Sequence, residues 1–234
     1  MFYFRQLFDP TSSTLTYLIA DPFKLEAVVI DPVREMVEPI LETLHAMHPQ
    51  MRLRYILETH IHADHVTGAD LLKQRTGAQA VVSRRGGAHC AENQVDDGDL
   101  ILFGSEHIRV LATPGHTEGC VSYLWRDRVF TGDTLLIGGC GRTDFQGGDA
   151  GKLYDSITGK IFSLPCETLI YPGHDYNGRR VSSVDQERTS NPRLAGKTRD
   201  EFMAIMDALN LPRPKLIDEA VPANLLCGRS GLAA

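Results

Sequence analysis

The 234-residue chain has no CxxC pair. Its five cysteines, Cys90, Cys120, Cys140, Cys166 and Cys227, are scattered and odd in number. That excludes a zinc ribbon and a disulfide framework, and it sets the expectation of free thiols in a reducing compartment. Basic runs are short: none exceeds Arg84-Arg85 or Arg179-Arg180, and the formal net charge is −6. Nucleic acid is therefore not an expected partner, and the Arg pairs read as solvated surface. No apolar run approaches the ~20 residues that cross a bilayer, so no membrane partner is expected. The opening residues, Met1 to Gln6, lack a charged segment followed by an apolar one, so they do not read as a secretory signal. A cytoplasm of bacterial type is the expected location, with an organelle after transit-peptide removal as the alternative. Repeats, low-complexity segments and clear linkers are also missing.

What is present is ordinary for a globular α/β chain: 42% hydrophobic and 23% charged residues. The length fits one domain, residues 1–234, in which 181–234 form a short helical extension. Alternating or continuous apolar runs predict strands over 2–8, 14–20, 25–30, 53–58, 78–82, 100–103, 107–112, 121–125, 128–131 and 168–171. Residues 34–48 carry Met36, Ile40, Leu41, Leu44 and Met47 at helical spacing, with Pro49 as a stop. Helices are also predicted over 66–76, ending at Gly77, over 150–163, and through most of 181–210. Residues 84–98 read as loop, Asp96-Asp97-Gly98-Asp99 as a hairpin turn, and the proline-rich tail from Leu211 as irregular. Strand-rich halves that each carry helices fit a four-layer αββα sandwich.

The chemistry is concentrated at strand ends. Thr59-His60-Ile61-His62-Ala63-Asp64-His65 follows the 53–58 strand, placing three imidazoles and a carboxylate at a strand-to-helix turn. These are the usual ligands of borderline divalent metals. The plain alternative is a histidine-rich surface loop. Three further motifs weigh against it: Thr113-Pro114-Gly115-His116, Thr131-Gly132-Asp133 and Pro172-Gly173-His174. Each ends a strand with a turn-forming residue and then presents a ligand-type side chain.

This set, HxHxDH with His116, Asp133 and His174, resembles the metallo-β-lactamase superfamily across roughly residues 14–176. The resemblance implies an αββα fold with metal held between the sheets at one edge. In its binuclear zinc members, matches of His60, His62 and His116 bind one metal. Matches of Asp64, His65 and His174 bind the other, and the match of Asp133 bridges them. The stretch Gly139-Cys140-Gly141-Arg142-Thr143-Asp144-Phe145-Gln146 is more selective. With Arg5 to Asp9, Tyr171 to Tyr176 and Glu187 to Leu194, it resembles the persulfide dioxygenase (sulfur dioxygenase, ethylmalonic-encephalopathy-type) family.

That family resemblance implies one Fe(II) per chain, held by His60, His116 and Asp133, the facial triad of non-haem iron oxygenases. His62, Asp64, His65 and His174 would orient ligands and waters, with Cys140 packed beside them. The implied substrates are glutathione persulfide and O₂, giving with water sulfite and glutathione. Arg142 and Arg193 are candidates for the glutathione carboxylates, with a structural Arg142–Asp144 pair as the plainer role for the first and a helix-end contact as that for the second. Tyr176 is the candidate hydrogen-bond donor near the reacting sulfur. Members of the family tend to be homodimers. The alternative function is a glyoxalase-II-like zinc thioesterase acting on S-acyl glutathione. The 142–146 stretch and the missing C-terminal helical domain of that family argue against it.

Overall fold

The chain opens with β1 (Tyr3–Asp9), β2 (Thr14–Asp21) and β3 (Glu26–Ile30), then α1 (Val37–Met47), β4 (Arg52–Leu57), α2 (Ala69–Thr76), β5 (Gln79–Ser83) and β6 (Asn93–Val95). The second half holds β7 (Leu100–Phe103), β8 (Glu106–Ala112), β9 (Val121–Trp125), β10 (Arg128–Gly132), α3 (Ala150–Ser156), β11 (Leu169–Pro172) and β12 (Ser182–Ser183). Three helices close it: α4 (Val184–Ser190), α5 (Arg199–Asp207) and α6 (Ile217–Leu225). These assignments come from a computed structural model that describes residues 2–229.

Two six-stranded mixed sheets result, ordered β1-β2-β3-β4-β5-β6 and β12-β11-β10-β9-β8-β7. Strand β2 shows why they stack. All eight of its residues are buried, because its two faces both meet protein. Leu15, Tyr17 and Ile19 point into a core shared with Ile108, Val110, Tyr123 and Phe130 of the other sheet. Leu18 and Ala20, one residue out of phase, pack on Val37, Ile40 and Leu44 of α1 and Leu72 of α2. A third cluster joins Val129 and Ile170 to Leu153 of α3 and Phe202 of α5. Three apolar interfaces between four layers make the αββα sandwich. Truncating Phe130 at its centre would cost ~3–5 kcal/mol, as large-to-small changes in a filled core do.

Four expectations change. Residues 93–95 form a strand, β6, inside the predicted loop. The Asp96–Asp99 turn joins β6 of one sheet to β7 of the other, so it is a crossing between sheets and not a hairpin. The proline-rich tail is not irregular throughout, since α6 forms there. Cys90 and Cys227 are bonded as a disulfide across 137 residues, so the expectation of free thiols alone is wrong. Cys120, Cys140 and Cys166 are free.

Candidate metal centre

Strand ends from both sheets meet at one edge. Thr59 to His65 leave β4, His116 follows β8, Asp133 follows β10 and His174 follows β11. Backbone bonds stitch these ends together: Val121 N–H to Thr59 O at 2.8 Å, Gly173 N–H to Gly132 O at 2.9 Å, and Leu15 N–H to Gly173 O at 2.8 Å. Two glycines allow this closeness. Gly132 has φ +49°, and a Cβ there would run into the Thr59 side chain. A Cβ on Gly173 would sit 2.8 Å from Asp133 Oδ1.

His60, His116 and Asp133 each offer one ligand atom, and the three atoms lie within 4.8 Å of one another. Hydrogen bonds assign the ring nitrogens. His116 Nδ1 lies 2.7 Å from the Arg142 carbonyl, a pure acceptor, so Nδ1 carries the hydrogen and Nε2 keeps its lone pair. Thr59 Oγ1 donates to Asp31 Oδ2 at 2.8 Å, so it accepts from His60 Nδ1 at 3.0 Å, and again Nε2 is left as a base. Burial, then the neighbouring His62 and His116, push the His60 imidazolium well below the usual range, which keeps this ring neutral. His116 Nε2 and Asp133 Oδ2 are 3.7 Å apart. The set fits a divalent metal: two lone pairs and a carboxylate converge, and the far atom of each is already committed.

The other members sit differently. His174 lies between two carboxylates, with Nδ1 2.6 Å from Asp133 Oδ1 and Nε2 2.9 Å from Asp64 Oδ2. Burial opposes its charge, but Asp133 and Asp64 outweigh burial and raise its pKa well above the ordinary histidine value. In return, and against burial, His174 and then His116 and His60 hold the Asp133 carboxyl far below its ordinary range. His62 turns Nε2 towards Asp31 Oδ1 at 3.2 Å and Glu58 Oε2 at 3.4 Å. Burial alone would lower its pKa; the two carboxylates lift it to about 10. His65 Nδ1 is 3.0 Å from Asp64 Oδ2. Among the described residues Glu58 Oε2, His62 Nδ1 and His65 Nε2 are buried with no hydrogen-bond partner. His62, Asp64 and His65 form a second group of ligand atoms within 4.8 Å of one another.

A cleft of about 570 Å³ opens onto Asp64, His116, Asp133 and His174. Its walls are Leu136, Ile137, Leu211, Pro212 and Pro214, with Arg142, Arg179, Arg193 and Tyr176 around them. Tyr176 is exposed, its ring stacked parallel on His174 at 5.7 Å. Arg142 forks onto Asp144 at 2.6 and 2.7 Å and donates to Pro212 O at 2.6 Å and Leu211 O at 3.3 Å. It thus joins the glycine-rich loop to the apolar wall. Arg193 donates through Nη1 to Cys140 O at 2.7 Å. Among the described residues its Nε and Nη2 make no hydrogen bond to protein. Cys140 is buried against Met206, and burial raises its thiol pKa.

Sequence reasoning missed Asp31, Glu58, Arg179 and Asn224. Asp31 was findable, since it ends the 25–30 strand as Asp133 ends another. Asn224 had no signal in the sequence.

The metallo-β-lactamase superfamily profile matches residues 10–174. A bovine protein named Persulfide dioxygenase ETHE1, mitochondrial, is 51% identical over 227 residues, covering 96% of this chain and 88% of its own length. The human protein of that name gives the same figures. The crystal structure of ETHE1 from Myxococcus xanthus is 55% identical, with a TM-score of 0.95 over 97% of this chain and 100% of that one. A Hydroxyacylglutathione hydrolase of Rhodospirillum rubrum is 35% identical over 176 residues, covering 73% of this chain and 66% of its own. The mitochondrial names of the bovine and human relatives overturn the cytoplasmic location expected from the sequence. No described helix is long and apolar enough to cross a membrane.

Proposed function

The chain belongs to the persulfide dioxygenase family of the metallo-β-lactamase superfamily, and from that premise we propose that it oxidises glutathione persulfide with O₂ and water to sulfite and glutathione. The proposed cofactor is one Fe(II) per chain, with His60 Nε2, His116 Nε2 and Asp133 as ligands. The observation that carries the ligand set is the assignment of the ring nitrogens: His60 and His116 each keep a free lone pair beside the Asp133 carboxylate. Fe(II) held by these residues would supply the redox chemistry that brings O₂ to a persulfide.

The chain's own groups set the conditions. His174 orients Asp133 through its 2.6 Å bond and keeps it ionised. The apolar wall of Leu136, Ile137, Leu211 and Pro212 excludes water from the sulfur end of the cleft. Arg193 turns its uncommitted guanidinium edge to a glutathione carboxylate, and Tyr176 donates to the substrate near the metal. Arg142 supports the same cleft through Asp144 and the 211–212 carbonyls. Assembly as a homodimer is part of this reading.

The group of His62, Asp64 and His65 favours a second reading, a two-metal hydrolase of S-acyl glutathione. Against it, the Hydroxyacylglutathione hydrolase of Rhodospirillum rubrum is 35% identical over 73% of this chain, whereas the bovine persulfide dioxygenase is 51% identical over 96%. Metal analysis of anaerobically purified protein, with O₂ uptake on adding glutathione persulfide, separates the two. About one iron per chain with persulfide-dependent uptake supports the dioxygenase. Two zincs without uptake, and hydrolysis of S-lactoylglutathione, would establish the hydrolase.

A further inference from the structure

Helix α6 reaches the metal centre from behind. Its Asn224 is buried, 4% exposed, and absent from the walls of the substrate cleft. It borders instead a small internal space shared with Glu58, His60, His62 and Thr67. The side-chain amide is spent on the backbone of the metal motif. Nδ2 donates to His62 O and to His65 O, both at 2.9 Å, and Oδ1 accepts from Thr67 N–H at 2.9 Å. Residues 62–67 belong to no helix or strand. Asn224 thus satisfies three buried backbone groups that regular structure would otherwise pair. No aliphatic residue could do so, and a carboxylate would repel the two carbonyls.

The helix is fastened on several sides. The Cys90–Cys227 disulfide ties its end to the segment after β5. Asp70 N–H bonds to Cys227 O at 2.9 Å, and Arg34 donates to Gly228 O. Ala220 and Ala223 pack on Val66, and Val221 and Leu225 pack against Ile61, Val82 and Ala88. A loop that carries His60 at one end and Asp64 and His65 at the other is thereby held against a covalently anchored helix.

We propose that Asn224 is a positioning residue for the metal centre: carried on α6 and anchored by the Cys90–Cys227 bond, its amide sets the 62–67 backbone so that His60 stays in register with His116 and Asp133. The inference rests on the ligand set proposed above, but not on the identity of the metal. The test therefore uses Co(II), whose visible spectrum reports ligand geometry. In Asn224→Ala, the Co(II) spectrum should shift and metal loss to a chelator should accelerate ~10–100-fold, the usual cost of removing a group that orients ligands. In the iron-loaded enzyme, kcat should fall while KM for glutathione persulfide stays near that of the parent protein, because Asn224 does not line the cleft. The Cys90→Ser/Cys227→Ser double variant, which keeps Asn224, should shift the spectrum and metal loss in the same direction by less. A folded Asn224→Ala protein with the parent spectrum and parent rate of metal loss overturns the proposal. If that variant does not fold, the double variant decides alone, and parent behaviour there overturns it. Zinc in place of iron in the native protein would sink the dioxygenase reading and leave the Co(II) result standing.

Discussion

His60 and His62 are two residues apart in sequence, and their rings lie 4.1 Å apart. Their surroundings divide them. His60 gives its Nδ1 hydrogen to a hydroxyl and keeps a neutral ring with one free lone pair. His62 faces Asp31 and Glu58, which raise its pKa to about 10 in the metal-free protein. The same division separates His116, which meets a backbone carbonyl, from His174, which bridges two carboxylates. A far nitrogen that meets a hydroxyl or a backbone carbonyl fixes the tautomer without adding charge, whereas carboxylate partners also raise the pKa of the ring in the metal-free protein. HxH spacing is common to both settings; the partner of the far nitrogen sets the charge of the ring before any metal binds.

The division can be broken at its ends. Asp133→Ala removes the carboxylate of the proposed ligand set and should abolish iron binding and activity together. Near-stoichiometric iron by elemental analysis would remove Asp133 from the set. His174→Ala leaves all three proposed ligands but frees Asp133 Oδ1. Iron should still bind, ~10–100-fold more weakly, as for groups that orient ligands. Complete loss of metal, measured by titration under anaerobic conditions, would place His174 among the ligands and erase the distinction.

Much of this was legible before the fold. The strand-end placement of His60, His116, Asp133 and His174 follows from apolar runs ending in turn residues, because a strand's register determines where its last side chain emerges. What was illegible depended on long-range partners. Cys90 and Cys227 are 137 residues apart, and spacing says nothing of their contact. Helix α6 includes Pro222 and follows Pro212 and Pro214, so local propensity argued against it. Packing of Ala220 and Ala223 on Val66 and the disulfide override that propensity. The Asp96–Asp99 turn carried a correct local signal, but a turn does not record which sheet the next strand joins.

The same contrast of partners sorts the arginines. Arg142 has four of its N–H groups spent on Asp144 and the 211–212 carbonyls, whereas Arg193 has Nη1 alone committed by a close bond. Arg193→Ala should therefore raise KM for glutathione persulfide about tenfold with a smaller change in kcat, the scale of one charge-assisted contact. An unchanged KM in steady-state O₂ uptake would take Arg193 out of substrate binding.

The smallest effect is the most direct reading of the His62 environment. A histidine raised from 6.5 to about 10 contributes stability that is fully present below pH 6.5 and is lost as pH rises through about 10. Metal-free protein should lose Tm across that window for this reason, along with whatever other groups contribute. Asp31→Asn removes the foremost of the groups that raise the His62 pKa. Asparagine tolerates the φ of +50° at this position and can still accept from Thr59 N–H. The variant should be less stable than the parent at pH 6.5 and approach it by pH 10, so the two Tm curves converge. Parallel curves would mean that His62 is not held as a cation. It would then rest as a neutral ring, as His60 does, and the contrast between the two histidines would be gone.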